Sequence, residues 1–314
     1  MTELDERPTI PDEGISSSWA PSFPVDPGAL LGPLARGHGD PAYRVDRRGI
    51  RWLAGNTPDG PGTLGIVRDS AGRFTATAWG AGAERLIAGL PALLGAADDD
   101  TEFVAHHPLV KETRKRLPGL RIGATGRVWD VLVGAILEQK VTGIEAHRSW
   151  RELAYRFGAP APGPAPDGMH TAPSPTQLLA ITDWEWHRAG VDGARRRALI
   201  AAAQVAHRLE RAVELRGAPG RNLLRIVPGI GIWTAAEVAQ RAWGDPDAVS
   251  VGDLHVPSTV GYALLGHAVD DAGMLDVLAP YAPQRQRAVR YIEASGFRRP
   301  RFGPRYSPRE YRRF

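Results

Sequence analysis

The pattern of apolar positions changes character along this chain of 314 residues. Between residues 19 and 94 it is mixed. Residues 43–54 read as a strand with breaks on both sides, and residues 63–68 and 73–79 as a hairpin around Asp69-Ser70-Ala71-Gly72. Residues 84–94 then place Leu86, Ile87, Leu90, Leu93 and Leu94 at helical spacing, with Pro91 as a break or kink. An acidic stretch, residues 96–102, precedes a mainly helical region. There residues 128–157 form a long apolar-periodic run interrupted near Thr142-Gly143, and residues 159–173 form a Pro/Gly-rich connection that reads as disordered or variable. Ser174-Pro175-Thr176-Gln177 is a capping box with proline at the first helical position. Asp192 caps a helix reaching about Leu215, and residues 222–226, 234–243, 271–278 and 284–294 complete the helical set. The expected architecture is α+β. Residues 1–17 are too polar to order themselves, residues 18–105 form a small α/β scaffold domain, residues 106–295 an all-α body, and residues 296–314 a basic tail.

Composition narrows the chemistry. The chain has no cysteine, which excludes disulfides, thiolate zinc sites and cysteine-held iron–sulfur clusters. Its histidines lack ligand spacing, so no transition metal is expected. The acidic N-terminus has no apolar core of a secretory signal, and no run approaches the ~18 apolar residues of a membrane span. The expectation is a soluble cytoplasmic protein. The net charge of +4 suits a polyanion but is unevenly spread: the first residues are acidic, while residues 296–314 carry seven arginines against Glu310. Lysine occurs only at 111, 115 and 140.

The most informative segment is Leu224-Arg225-Ile226-Val227-Pro228-Gly229-Ile230-Gly231-Ile232-Trp233-Thr234-Ala235-Ala236. Its Pro-Gly-x-Gly core is a tight turn between two helices. Such a hairpin leaves backbone N–H groups unpaired at the entrance to the second helix, where they can grip a phosphate. Asp253, in Ser250-Val251-Gly252-Asp253, lies just beyond that helix. One element holds a nucleic-acid backbone and the next supplies an acid.

These residues resemble the helix-hairpin-helix and Gly/Pro/Asp signature of base-excision DNA glycosylases, and are most similar to the 3-methyladenine DNA glycosylase II branch. Trp233-Thr234-Ala235 opens the second helix, Asp253 follows at the matching interval, and Ala135-Ile136-Leu137-Glu138-Gln139-Lys140-Val141-Thr142 is similar to that branch's Ala-Ile-Leu-Gly-Gln-x-Val-Ser helix. The resemblance covers about residues 125–295 and extends toward Trp19. It implies a helical glycosylase body behind a small scaffold domain. The activity implied is hydrolysis of the N-glycosidic bond of a damaged base, an alkylated purine above all, flipped out of double-stranded DNA. It also implies a monomer without an organic cofactor. The four-cysteine iron–sulfur cluster usual in the endonuclease III branch is ruled out by composition.

The resemblance also assigns roles, each beside a plainer reading. Asp253 would stabilise positive charge on the sugar and orient water, or cap a helix, and the two are compatible. Gly229, Ile230, Gly231 and Thr234 would contact DNA, with the carbonyls of Val227, Gly229 and Ile232 available to Na+ or K+; the same glycines also suit a purely structural turn. Trp233 stands where bifunctional relatives carry a Schiff-base lysine. Indole cannot form that adduct, so hydrolysis is expected, with Trp233 stacking on the flipped base or packing in the core. Lys140 stands near the family's wedge into the duplex: it contacts DNA, faces solvent, or supplies a lyase amine. Gln139 meets the opposite strand, braces the pocket, or packs. Glu138 and Glu237 depart from the branch's pattern and bring carboxylates toward the base pocket or into solvent. Tyr281 is a pocket aromatic or a loop anchor. The rival readings of the whole chain are a non-catalytic damage sensor and a glycosylase for oxidised or deaminated bases with lyase activity.

Overall fold

The computed structural model describes residues 14–300. The expectations for residues 1–13 and 301–314 lie outside the described residues. The first strand, β1 (Ile15–Trp19), begins inside the stretch expected to lack structure. It is held there by pairing with β5 (Phe74–Trp79), the last of five antiparallel strands in the order β1-β5-β4-β3-β2; the others are β2 (Tyr43–Val45), β3 (Arg51–Thr57) and β4 (Gly60–Arg68). The molecule is thus α+β, with a sheet that is antiparallel throughout.

Both faces of this sheet are covered. Leu53, Leu64, Ile66, Phe74 and Ala76 point to one side, against α1 (Pro27–Leu31), α2 (Ala83–Ala88) and α3 (Leu90–Leu93). Glycine at 89, between α2 and α3, marks the break expected at Pro91, and the proline sits in the first turn of α3. On the other side Trp52 and Trp79 stack with centroids 5.6 Å apart. The Pro/Gly-rich connection expected to be disordered or variable is ordered across this second face. Met169 is buried against the tryptophans, and Pro160 bridges to His170. Two stacked indoles form an apolar surface that must be covered, and this loop covers it.

The rest of the described chain is helical. The helices are α4 (Pro108–Arg116), α5 (Trp129–Leu137), α6 (Gly143–Phe157), α7 (Pro175–Leu179), α8 (Asp183–Arg188), α9 (Gly193–Gln204), α10 (Ala206–Leu209), α11 (Ala212–Leu215), α12 (Gly217–Arg225), α13 (Ile232–Ala242), α14 (Val256–Leu265), α15 (Asp271–Leu278) and α16 (Arg285–Ala294). Every residue of α5 except Asp130 is buried, as befits an apolar helix at the centre of a body. The Glu210 carboxylate accepts the N–H groups of Val128 and Trp129 at its start, at 2.9 and 2.8 Å. The long run from 128 to 157 divides into α5 and α6 where expected, with Thr142 and Glu145 forming a capping box. The span from Asp192 to Leu215 is three helices rather than one. The body has two apolar clusters, one around α5, α9 and α13, the other joining α4, α14, α15 and α16 through Phe103, Met274, Tyr281 and Tyr291. Among the described residues no helix is long and apolar enough to cross a membrane.

Candidate active site

Residues 226–231 form the hairpin between α12 and α13. Gly229 has φ 90°, and a Cβ there would lie 2.8 Å from the Cβ of Ala198, so the turn requires glycine on both counts. A Cβ on Gly231 would meet open space. Among the described residues no side chain caps α13, so its first-turn amides stand without side-chain acceptors there, at an exposed helix start. Ile230 differs from its neighbours: its side chain is buried in the core and its N–H bonds the Val227 carbonyl at 3.0 Å. It shapes the hairpin and does not offer a free donor.

Gln139 reaches the hairpin from the turn after α5. Its Nε2 donates to the Gly229 carbonyl at 2.9 Å and to Oγ1 of Thr234 at 2.8 Å. Thr234, expected at the DNA surface, is instead buried, because its hydroxyl is the inner end of this brace. The carbonyls of Val227 and Gly229, named as cation ligands, each already accept one hydrogen bond. Lys140 is exposed and has φ 54°, in the left-handed region that costs a non-glycine residue about 1–2 kcal/mol. The Gln139 brace on one side and the Thr142 cap on the other hold it there.

Asp253 lies in the loop between α13 and α14. Its Oδ1 accepts the N–H groups of His255 (2.7 Å) and Val256 (3.0 Å), and its Oδ2 accepts the indole N–H of Trp233 (3.0 Å). The carboxylate therefore joins the start of α13 to the entry of α14, whose N-cap is His255, two residues further on. Trp233 is half-buried and serves the acid directly.

Beside Asp253 opens a cavity of about 340 Å³, within the range of small-molecule pockets. Glu237, Gln240 and Arg241 line it from α13, Gln286, Arg290 and Glu293 from α16, and Leu30 and Pro33 from α1 and the turn after it. It sits where the sheet layer and the two apolar clusters meet. Glu237 is part of it, as expected, but is engaged on both sides, by Arg241 (2.7 Å) and by the hydroxyl of Ser250. Glu138 does not line it and is ion-paired at 2.6 Å to Arg36, which packs across Gly134 and over the ring of Trp150. Tyr281, expected as a pocket aromatic, lies in the packed cluster. Its ring stacks on Phe103 and His107 and its hydroxyl accepts the His107 N–H at 3.0 Å. Burial raises its phenol pKa and lowers that of His107.

Among the described residues, no aromatic side chain lines the cavity. Gln286, 4% exposed, has an Oε1 with no hydrogen-bond partner. Sequence reasoning missed Gln286, Arg290 and Arg241. The signal was present for the α16 residues: Gln286, Arg290 and Glu293 follow i, i+4, i+7 spacing, a polar stripe on one face of an otherwise packed helix.

The fold is that of the helix-hairpin-helix DNA glycosylases, shared by their 3-methyladenine and 8-oxoguanine branches. The 3-methyladenine DNA glycosylase of Archaeoglobus fulgidus superposes with a TM-score of 0.72 over 90% of this chain and 99% of that one, at 15% identity. MBOgg1, solved in complex with a low affinity DNA ligand, gives 0.69 over 92% and 97% at 16% identity. The 8-oxoguanine glycosylase/lyase of Clostridium acetobutylicum gives 0.68 over 91% and 97% at 13% identity. In sequence, 157 residues are 32% identical to the probable bifunctional transcriptional activator/DNA repair enzyme AlkA of Mycobacterium tuberculosis. That match takes in 49% of this chain, which spans about a third (31%) of the length of the curated relatives it matches. No protein-family model matches the chain.

Proposed function

We propose that this protein is a monofunctional DNA glycosylase that hydrolyses the N-glycosidic bond of a damaged base flipped out of duplex DNA, leaving an abasic site. The observation that carries this reading is the setting of Asp253: a carboxylate held by N–H groups from two helix starts, at the wall of a cavity of about 340 Å³ and hydrogen-bonded to Trp233 in the first turn after the hairpin. As the glycosidic bond breaks, positive charge builds on the sugar, and an acid fixed beside C1′ stabilises it and orients the attacking water. The uncapped start of α13, with Gly231, receives a backbone phosphate, and a monovalent cation at the hairpin carbonyls would strengthen that grip. Exposed Lys140 enters the space vacated by the flipped base. With indole at 233, no amine is attached to the element that would form a Schiff base.

The test is a panel of duplexes containing 3-methyladenine, 7-methylguanine, hypoxanthine, uracil or 8-oxoguanine, with alkaline readout of abasic sites. Base release by the parent and a loss of at least about 100-fold in a folded Asp253→Asn variant is the expected result. Binding without release of any base favours the damage sensor. Strand breaks without alkali, with a borohydride-trapped adduct abolished in Lys140→Ala, favour the lyase.

Alkylated purines are the substrate class implied by the resemblance. A second reading, an uncharged oxidised or deaminated base, is favoured by a cavity that has no aromatic lining and leaves the Gln286 acceptor without a partner among the described residues. Stacking best rewards a cationic base, whereas hydrogen-bonding groups reward a base with a donor edge. The same panel separates the two.

A further inference from the structure

The cavity beside Asp253 has two polar walls of different character. On the α13 wall the groups are engaged with one another. Glu237 accepts from Arg241 and from the Ser250 hydroxyl, Ser250 Oγ receives Nε2 of Gln240 at 2.9 Å, and Arg241 donates Nε to the Pro33 carbonyl at 3.0 Å. On the α16 wall the contacts are loose. Nη1 of Arg290 is 3.3 Å from Oε2 of Glu293, and its Nη2 is 3.3 Å from the Ala29 carbonyl. Both exceed the roughly 2.7–2.9 Å of a well-made charged hydrogen bond. Among the described residues Oε1 of Glu293 has no hydrogen-bond partner. Neither has Oε1 of Gln286, one turn before Arg290 on the same helix face.

Glu293 faces the recess. Its side chain is 44% exposed, yet it lines the cavity, and the walls desolvate it enough to raise its pKa, against the pull of Arg290 and with the Glu237 charge adding to the rise. A carboxylate walled in beside a second carboxylate is short of donors. Gln286, 4% exposed with its unpaired acceptor, shares that deficit, and such a group is costly unless a partner supplies the donor. A base that suits this wall brings neighbouring N–H groups to the carboxylate and, beside them, an acceptor to the guanidinium. Damaged bases differ in this respect. Guanine carries N2–H, N1–H and O6 in a row, adenine sets N6–H beside the N1 lone pair, which a carboxylate repels, and hypoxanthine lacks the N2 amino group.

We infer that Glu293 and Arg290 select the base: the carboxylate accepts N1–H and N2–H of a guanine-type lesion, methylated at N7 or oxidised at C8, and the guanidinium donates to O6. The inference rests on reading the site as that of a DNA glycosylase, and it names the edge by which the flipped base is chosen. Damage at N7 or C8 leaves that edge intact.

The experiment uses the full chain. Single-turnover release of 7-methylguanine, 8-oxoguanine, 3-methyladenine and hypoxanthine from duplexes is measured, each rate divided by the spontaneous rate for the same lesion. The parent should favour the better of the two guanine lesions over the better of the other two by at least about 10-fold. In E293Q this ratio should fall roughly 10- to 100-fold, because a charged acceptor is exchanged for an amide that turns an N–H toward one of the donors. E293D keeps the charge and should fall between the two. A duplex with a tetrahydrofuran abasic-site analogue offers no base edge, so E293Q should bind it with parental affinity. A parental ratio near one, or reversed, overturns the inference without any variant. An unchanged ratio in a folded E293Q overturns it too, as does an equal slowing of all four lesions, which would make Glu293 merely structural. Asp253→Asn separates the failures. If it abolishes release while the ratio ignores Glu293, only the base assignment falls. If the parent releases none of the four bases, or Asp253→Asn works as the parent does, the reading of the site falls and this inference with it.

Discussion

A carboxylate that meets a developing positive charge works only if it does not have to reorient as the bond breaks. Asp253 satisfies this through three donors, two from the backbone and one from Trp233. The tryptophan therefore has a role that its ring alone would not suggest. Trp233→Phe keeps the aromatic face and deletes the N–H. A hydrogen bond to a charged group contributes about 1.5–3 kcal/mol, so the single-turnover rate of base release should fall roughly 10- to 100-fold. Affinity for an abasic duplex should be unchanged. A parental rate in Trp233→Phe would show that stacking, not the hydrogen bond, is what the residue supplies. The identity of Asp253 and Trp233 as a matched pair was legible in the sequence, because both are fixed points of one motif. Their hydrogen bond was not, since it depends on how the loop after α13 folds back.

At the scale of elements, helix starts were the most legible features, because a cap acts within a few residues. Ser174 and Asp192 cap as their sequence context predicts, and the interruption expected near Thr142 turns out to be a helix start capped by that residue. Asp192 does more: its carboxylate accepts the N–H groups of Ala194 and Arg195, at 2.9 and 3.0 Å, and the Arg195 side chain at 2.7 Å. Burial works to raise its pKa, but these hydrogen bonds and the Arg195 charge prevail and hold it below the ordinary 3.8. A lowered folded-state value means that the stabilisation is present above pH 3.8 and is lost as the pH falls through that lowered value. Asp192→Ala should thus cost about 1–2 kcal/mol at pH 7 by urea titration, and the gap to the parent should close on acidification below the ordinary aspartate range. A gap that persists unchanged at the most acid pH where both proteins still fold would contradict the assignment.

At the scale of the molecule, the cavity depends on α16 being docked correctly, and a buried ion pair does this. Arg287 and Asp98, each 2% exposed, are joined by two hydrogen bonds, and Asp98 also accepts the Ile122 N–H at 3.0 Å. Removing one partner strands a buried charge. Asp98→Ala should destabilise the protein by about 3–5 kcal/mol in urea and weaken base release, because Gln286 and Arg290 ride on the same helix. A loss below about 1 kcal/mol would show that the pair does not dock α16. Nothing in the local sequence around residue 98 announces this partner 189 positions away.

The sequence by itself determined the helix starts at Ser174 and Asp192, the hairpin with its obligatory glycine, the absence of thiol chemistry and the candidate acid, since each rests on residue type or on spacing within one or two turns. The tertiary structure decided what the long-range contacts control. It turned Glu138 to Arg36, drew Thr234 and Tyr281 into packing, laid the 159–173 loop over two stacked tryptophans, and brought segments far apart in the chain together around one cavity. Spacing fixes which face of a helix a residue occupies; only the packing of that helix against others fixes what the face meets.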